Sequence, residues 1–368
     1  MTIHFAPAPG LFRRSLTAVT LIAACAAGSV RAEGVTFEGM QIESITPSGT
    51  GGSGDAYVRF FEPWYSKTLP GNPTVIVRNM GGGGTLTGSN YFEENAKPDG
   101  SSYFLVPTSG MLTYLLRPDE PNIRFDPTGW KSFIASPMGR VAFVHPKSGI
   151  KSVEDLLSHD GELVMGLAAP TGSDMPTMLA FDLLGVRIKA IIGLDGGEQS
   201  LAYQRGELTV NNDTTAAYMS SGAQMEQDGI AVPMFTFGVE DDSGKIVRDP
   251  NFPDLPTWNE VYEMKHGKAP EGPGYDAWRA LFGIVVMGSK ALVLPAGTPQ
   301  EVVDAYVKAS EEMIADPQFA EEAAVRIGSY PQSTGAAAQR IQDSKVNLDD
   351  DARAYIRAWL KDKLGVGS

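Results

Sequence analysis

Residues 40–77 read MQIESITPSGTGGSGDAYVRFFEPWYSKTLPGNPTVIV, and this stretch decides the fold class. Residues 40–46 and 74–77 are short apolar runs that predict two buried strands, and residues 55–69 between them repeat apolar side chains at helical spacing. A helix that joins two strands is typical of α/β proteins. Pro63 lies inside the predicted helix, so we expect the helix to kink or to end early there.

The same alternation of strands and helices continues along the chain to about residue 236. Further strands are predicted at residues 103–106, 141–144 and 163–166, with helices from about residue 152 and over residues 175–184. Residues 240–274 are polar and rich in Gly and Pro, which predicts a surface excursion, and the C-terminal segments have a helical period. The pattern predicts an α/β fold.

Length and composition limit the classes of protein to which the chain can belong. Its 368 residues suggest two domains, and its 42% hydrophobic and 20% charged residues are typical of a chain that buries a core. The formal net charge of −14 argues against a nucleic-acid partner, because such a partner requires a cationic surface. The single cysteine excludes a disulfide framework and a thiolate metal cluster.

Residues 1–32 have the composition of an export signal. They contain no acid, Arg13 and Arg14 precede an apolar stretch, and the segment ends on Ala32. This order predicts an exported protein. Two alternatives stay open: the residues up to Cys25 also fit a lipoprotein cleavage box, which predicts a lipid tether, and the paired arginines also fit twin-arginine export.

The glycine-rich run at residues 49–54 has two interpretations. It satisfies the pattern G-x-G-x-x-G between a strand and a helix, and Arg78 ends the next strand, where NADP-binding proteins place a cation near the 2′-phosphate. An NADP-dependent exported oxidoreductase is therefore one hypothesis, although Pro47 interrupts the junction of strand and turn. Alternatively, the glycines allow backbone N–H groups to approach an anion where the helix begins.

Similar loops recur after later strands. Thr108 and Ser109 follow one predicted strand, and the run Thr-Gly-Ser-Asp at residues 171–174 follows another and opens a helix. If these loops meet at one crevice, their N–H groups form an anion site that needs no cationic side chain. This hypothesis reconciles an anionic ligand with an acidic protein.

Several short motifs, in order along residues 47–319, together resemble one known family. They are Pro47 with Gly51, Gly52, Asp55 and Arg59; Arg78-Asn79 with the glycines at 81–84; Pro98-Asp99-Gly100; Gly172-Ser173; the stretch 196–207; Pro253-Asp254-Leu255-Pro256-Thr257; Pro295-Ala296-Gly297-Thr298-Pro299; and Asp316-Pro317-Gln318-Phe319. No single motif is specific, whereas the ordered set is. The chain resembles the Bug family, the extracytoplasmic solute receptors of tripartite tricarboxylate transporters.

The resemblance implies a fold and a domain organisation. The expected fold is that of a two-lobed periplasmic binding protein of type II character, in which each lobe is a mixed sheet flanked by helices and hinge strands join the lobes. After the export signal at residues 1–32, the first lobe would comprise residues 33–142 and 285–368, and the second residues 143–284. The protein would be a periplasmic monomer.

The resemblance also implies a ligand, a site and partners. Bug proteins typically bind a small organic mono- or dicarboxylate, largely through main-chain amides and ordered waters, and deliver it to a large and a small membrane subunit. The residues so nominated are Gly51, Gly52, Ser53 and Asp55 in the first loop, Thr171, Gly172, Ser173 and Asp174 in the middle loop, and Asp213. Thr108 and Ser109 join them from the recurring loops described above. As a helix cap and a turn residue, Asp174 and Asp213 also have plain structural interpretations.

The sequence offers little for catalysis. His145, His159 and His266 lack metal-ligand spacing, and neither a nucleophile elbow nor a P-loop occurs. We therefore predict a binding protein without cofactor or metal rather than an enzyme. Besides the oxidoreductase, two further alternatives stay open: a receptor of the same fold that presents its ligand to a signalling kinase, and a structural or adhesion module.

Overall fold

The computed structural model describes residues 34–194, 196–241 and 243–366. The predicted export signal and Cys25 lie outside the described residues. The described chain builds two mixed β-sheets flanked by helices, together with one small hairpin. This confirms the predicted fold class.

The strands form the two sheets in a discontinuous order. In chain order they are β1 (Gln41–Thr46), β2 (Thr74–Asn79), β3 (Ser102–Leu105), β4 (Lys131–Ser136), β5 (Arg140–Val144), β6 (Glu162–Leu167), β7 (Arg187–Ile192), β8 (Val210–Thr214), β9 (Val232–Thr236), β10 (Val239–Glu240), β11 (Ile246–Val247), β12 (Lys290–Leu294) and β13 (Ser333–Thr334). The first sheet has the order β13-β4-β12-β3-β1-β2 and the second the order β7-β6-β8-β5-β9, while β10 and β11 pair as a hairpin.

The helices lie between the strands and after them. In chain order they are α1 (Ser53–Thr68), α2 (Leu86–Asn95), α3 (Thr108–Leu116), α4 (Val153–Leu157), α5 (Met175–Leu183), α6 (Gly196–Gln204), α7 (Thr215–Ala217), α8 (Ala223–Gln227), α9 (Trp258–His266), α10 (Pro273–Phe282), α11 (Gln300–Ile314), α12 (Pro317–Arg326), α13 (Gly335–Lys345) and α14 (Asp350–Leu364). The strand-helix-strand unit predicted from residues 40–77 is confirmed, since β1 and β2 pair in parallel and α1 connects them.

Parallel and antiparallel pairing occur in both sheets. In the first, β1 pairs in parallel with β2 and β3, whereas β12 runs antiparallel to β3 and β4. In the second, β6 pairs in parallel with β7 and β8, whereas β5 runs antiparallel to β8 and β9. The carboxyl ends of parallel strands therefore gather at one edge of each sheet, which is where ligands bind in open α/β sheets.

The chain crosses between the sheets twice. β4 ends at Ser136 and β5 begins at Arg140, so three residues carry the chain from the first sheet to the second. It returns through residues 237–289, which contain α9 and α10, and then enters β12. Helices α3 and α14 both contribute to the hydrophobic core of the second sheet. The boundaries that the resemblance implies for the two lobes stay a prediction.

Two local expectations from the sequence are wrong: the early end of α1 at Pro63 and the surface excursion at residues 240–274. Helix α1 continues through Pro63 to Thr68 instead of ending early. Pro63 and Arg59 are both exposed, so water can satisfy the Arg59 carbonyl that loses its helical donor. The segment 240–274 is more than a surface excursion, because the side chains of Asp249 and Trp258 are fully buried (0% exposed).

No helix in the described part of the chain is long and apolar enough to cross a membrane.

Candidate ligand-binding cleft

A cleft with a volume of about 140 Å³ lies where the loops of the two sheets meet. Its lining is mostly polar and comes from both sheets. The lining residues are Pro47, Ser48, Ser53, Gly54, Thr85, Leu105, Val106, Pro107, Thr108, Ser109, Arg140, Ser173, Thr214, Ser289 and Lys290. Among these described residues there is no carboxylate, and there are two cations.

The loop before α1 is organised by the buried carboxylate of Asp55. One of its oxygens accepts a hydrogen bond from the Gly51 N–H at 2.9 Å, and the other accepts from the Asn79 amide and pairs with the Arg59 guanidinium, both at 2.9 Å. Burial would raise the pKa of Asp55, but the bonds from Arg59, Gly51 and Asn79 outweigh it and hold the pKa below its ordinary value. Asp55 therefore shapes the loop and does not line the cleft.

The start of α1 lies at the cleft through Ser53 and Gly54. The first N–H groups of a helix have no intrahelical acceptor and carry the positive end of its dipole, so they suit an anion. A Cβ at Gly54 would overlap the Ser48 hydroxyl and lie 3.0 Å from Thr46 Oγ1. By contrast, the N–H groups of Gly51 and Gly52 already donate within the loop, to Asp55 and to the Gly49 carbonyl.

The start of α3 forms the next part of the lining. Pro107 occupies its N-cap position, and Thr108 and Ser109 begin its first turn. We call the first turns of α1 and α3, with Ser53, Gly54, Thr108 and Ser109, the amide wall. Two helices that begin at one cleft place two sets of unpartnered N–H groups there.

Two hydrogen bonds join α3 to the loop after β6. The Ser173 N–H donates to Ser109 Oγ at 3.1 Å, and the hydroxyls of Thr113 and Thr171 are 2.8 Å apart. The Gly172 N–H turns back on its own loop and donates to the Ala169 carbonyl at 3.0 Å. The loops of the two sheets therefore touch across the cleft.

Arg140 opens β5 and is held in a buried network. Its Nε donates to Asn212 Oδ1 at 2.7 Å, and its Nη2 lies 3.2 Å from Asp174 Oδ1, to which the Asn212 amide also donates at 3.1 Å. Burial lowers the pKa of Arg140, while the Asp174 and Asp213 charges oppose that shift. Asp174 occupies the N-cap position of α5 without a side-chain cap bond, so its carboxylate orients Arg140 instead.

Lys290, the first residue of β12, is the second cation of the lining. Burial and the nearby charge of Arg140 lower its pKa to about 8. We call Arg140 and Lys290 the cationic floor. The expectation of a site without cationic side chains is therefore wrong for this cleft. Strands β5 and β12 lie in different sheets and far apart in sequence, yet both begin here, each with a cation.

Asp213 lies outside the lining of the cleft. In the register of β5 and β8 it faces Val141, whereas its neighbours Asn212 and Thr214 face Ala142 and Arg140. Because side chains alternate along a strand, Asp213 points to the opposite face of the sheet from Asn212. Burial raises its pKa to about 6, with Arg140 opposing the rise and Asp174 adding to it.

The structure separates the predicted site residues into two groups. Ser53, Thr108, Ser109 and Ser173 line the cleft, whereas Gly51, Gly52, Asp55, Thr171, Gly172, Asp174 and Asp213 do not. Sequence reasoning missed Arg140 and Lys290. Each begins an otherwise apolar strand: Arg140 begins RVAFV, and Lys290 begins KALVL. This pattern could have identified them, because a charge buried with such a strand requires a partner or a ligand.

Comparison with solved structures identifies proteins that have a similar fold. The chain matches periplasmic binding protein BugD with 20% identity and a TM-score of 0.65, over 89% of this chain and 99% of that one. It matches an R. palustris protein solved with adipate (17%, TM-score 0.63, 89% and 98%) and MatC from Rhodopseudomonas palustris with bound malate (16%, TM-score 0.59, 85% and 99%). At these identities the likeness establishes the fold alone, that of a two-lobed periplasmic binding protein, and this is the fold that the Bug resemblance implies.

Two other comparisons bear on the chain less directly. The sequence matches no family model and none of the curated proteins.

Within the described residues, no group of three or more His, Cys, Asp or Glu side chains is arranged to hold a metal ion.

Proposed function

We propose that this chain is an exported solute-binding receptor of the Bug family that closes two lobes around a small organic carboxylate. The observation that carries the proposal is the charge of the cleft. Two helix N-termini and two cations line it, with no carboxylate among the described lining residues, in a chain whose net charge is −14. A negative protein that concentrates positive potential in one cleft is suited to an anionic ligand.

One acid group of the ligand binds at the amide wall. Ser53, Gly54, Thr108 and Ser109 offer N–H groups and hydroxyls there, and Ser173 approaches from the second sheet. Gly51 and Asp55 contribute indirectly, because the hydrogen bond between them shapes the loop that precedes α1. Hydrogen bonds from backbone N–H groups to a carboxylate are charge-assisted and stronger than neutral ones.

Capture proceeds by lobe closure. We take the lobes to be residues 33–142 with 285–368 and residues 143–284, as the resemblance implies. The bonds from Ser173 to Ser109 and between Thr171 and Thr113 join loops of the two sheets, so we assign them to the closed form. Closure removes water, which strengthens each contact between the ligand and the charged groups.

The closed receptor then delivers its ligand to a large and a small membrane subunit of a tripartite transporter from the periplasm. The solved structures of the same fold include a periplasmic transporter protein and proteins holding adipate or malate, which supports this class of ligand and place of action. Deletion of the receptor should abolish uptake of its carboxylate by cells. A signalling role would leave uptake intact.

The binding function is tested on the purified chain after unfolding and refolding, which removes co-purified ligand. A thermal-shift screen compares mono-, di- and tricarboxylates with the corresponding amides. A ligand that binds only the folded state at 100 times its Kd stabilises by about 2.7 kcal/mol, so acids should raise Tm and amides should not. A library in which no acid raises Tm contradicts the proposal.

The NADP-dependent oxidoreductase receives less support. Arg78, which that hypothesis assigns to the 2′-phosphate, pairs with Glu43 at 2.5 Å and lies over the Tyr91 ring. The N–H groups of Gly51 and Gly52 are also already bonded within the loop. Nicotinamide fluorescence on the purified chain, with or without added NADPH, decides between the two functions.

A further inference from the structure

Lys290 is a buried cation without a counterion. Its side chain is 7% exposed, and in the described residues its ammonium has neither an ion pair nor a hydrogen bond. The favourable contact of the ammonium among the described residues is with the face of the Tyr57 ring, 5.5 Å from the ring centroid. Burial of an unpaired charge is costly, so the site is incomplete as it stands.

The surroundings of Lys290 are positive rather than neutral. The charge of Arg140 lowers the pKa of Lys290, and the charge of Lys290 in turn contributes to lowering the pKa of Lys345. Lys345 is 0% exposed, and its Nζ has no hydrogen-bond partner among the described residues. Asp174 compensates Arg140 through their ion pair, but no acid found in the described lining compensates Lys290. Lys290 therefore lines the same cleft as the amide wall, with a charge that no acid in the described lining balances.

Resting on the function proposed above, we propose that Lys290 is a specificity-determining residue whose ammonium binds the second acid group of a dicarboxylate ligand. The first acid group occupies the amide wall, so one small cleft provides two separate anion subsites. A monocarboxylate fills only the first and leaves the buried charge of Lys290 uncompensated. An acid group there forms a charge-assisted bond in a site with little water, where such bonds are strongest.

The test on the wild-type protein needs no variant. Calorimetry compares succinate, glutarate and adipate with their monomethyl esters, which keep the chain length and lose one charge. We expect at least one diacid to bind 10-fold or more tightly than its ester. Equal affinity of every diacid and its ester overturns the inference and leaves the proposed function standing, whereas a failure of all carboxylates to bind overturns both.

Substitution then locates the second subsite. Lys290→Met should lose the preference for the diacid and bind diacid and monoester alike, with a higher Tm in the absence of ligand because the unpaired charge is gone. Lys268→Met is the matched control, since Lys268 is exposed and pairs with Glu271 at 2.6 Å; it should keep the wild-type preference. A Lys290→Met protein that still prefers the diacid 10-fold overturns the assignment.

Discussion

The amide wall and the cationic floor offer positive charge to a ligand by different means. The amide wall uses partial charges on backbone N–H groups, whose positions follow from local turns and helix starts. The cationic floor uses the full charges of two buried side chains, which need partners from distant parts of the chain. The difference teaches that short motifs can specify one side of a binding site, while the other side exists only after distant strands have paired.

The largest effect is expected at the cationic floor. Arg140→Met leaves the buried carboxylate of Asp174 without its cation, which should lower the free energy of unfolding by about 3–5 kcal/mol. Urea denaturation measures the loss. Because an apolar pair can replace a buried ion pair at little cost, the double variant Arg140→Met with Asp174→Leu should recover part of it.

A surface ion pair supplies the control for Arg140. Lys67 pairs with Asp316 at 3.1 Å and is largely exposed, so Lys67→Met should cost no more than about 1 kcal/mol. An Arg140→Met protein as stable as the Lys67→Met protein would show that the buried ion pair contributes no more to stability than a surface ion pair. The contrast between the amide wall and the cationic floor would then disappear.

The next effect is expected at the amide wall. Gly54→Ala places a methyl group against the Ser48 hydroxyl and Thr46 Oγ1, which should cost about 1–3 kcal/mol of stability through overcrowding. The displaced first turn of α1 should also weaken carboxylate binding by 10-fold or more in calorimetry. Gly49→Ala is the matched control, because a Cβ at Gly49 meets no atom within 4 Å. Equal affinities of the two variants would contradict the role of this turn.

A pH-dependent effect is expected behind the cationic floor, at Asp213. Burial raises the pKa of Asp213 to about 6, so folding favours the protonated acid, and the stability this provides is present at low pH and is lost as pH rises through about 6. Asp213→Asn should therefore stabilise the protein by about 1–2 kcal/mol at pH 8. Denaturation at pH 4 and pH 8 measures both proteins. The advantage of the variant should shrink at pH 4, and an advantage independent of pH would refute the assignment.

The smallest effect is expected where the two sheets touch. Ser109→Ala removes the acceptor for the Ser173 N–H, which should weaken carboxylate binding by about 0.5–1.5 kcal/mol, mainly through faster dissociation. Stopped-flow measurement of ligand release checks this. Ser220→Ala serves as the comparison, because its exposed hydroxyl bonds only the Ala217 carbonyl in the described structure. Identical release rates for both variants would show that the hydrogen bond between Ser109 and Ser173 does not stabilise the closed form.

Much of the amide wall could be predicted from sequence. The glycine-rich loop before α1 and the loop before α3 stand between strands and helices that local periodicity identifies, and Ser53, Thr108 and Ser109 do line the cleft. The role of Asp55 was harder to predict from sequence, because its partner Asn79 lies at the end of β2, 24 residues away. Residue type and spacing nominate the loop, but they do not tell which of its N–H groups are already bonded.

The sequence by itself determined the α/β class, the strand-helix-strand unit at its start and the positions of the glycine loops, because these depend on local periodicity and backbone freedom. Only the tertiary structure decided that Arg140 and Lys290 share one cleft and that Asp174 orients a guanidinium instead of capping α5. It also decided that Asp213 lies outside the cleft. The physical reason is that the partner of a buried charge is chosen by the pairing of distant strands, which local sequence does not record.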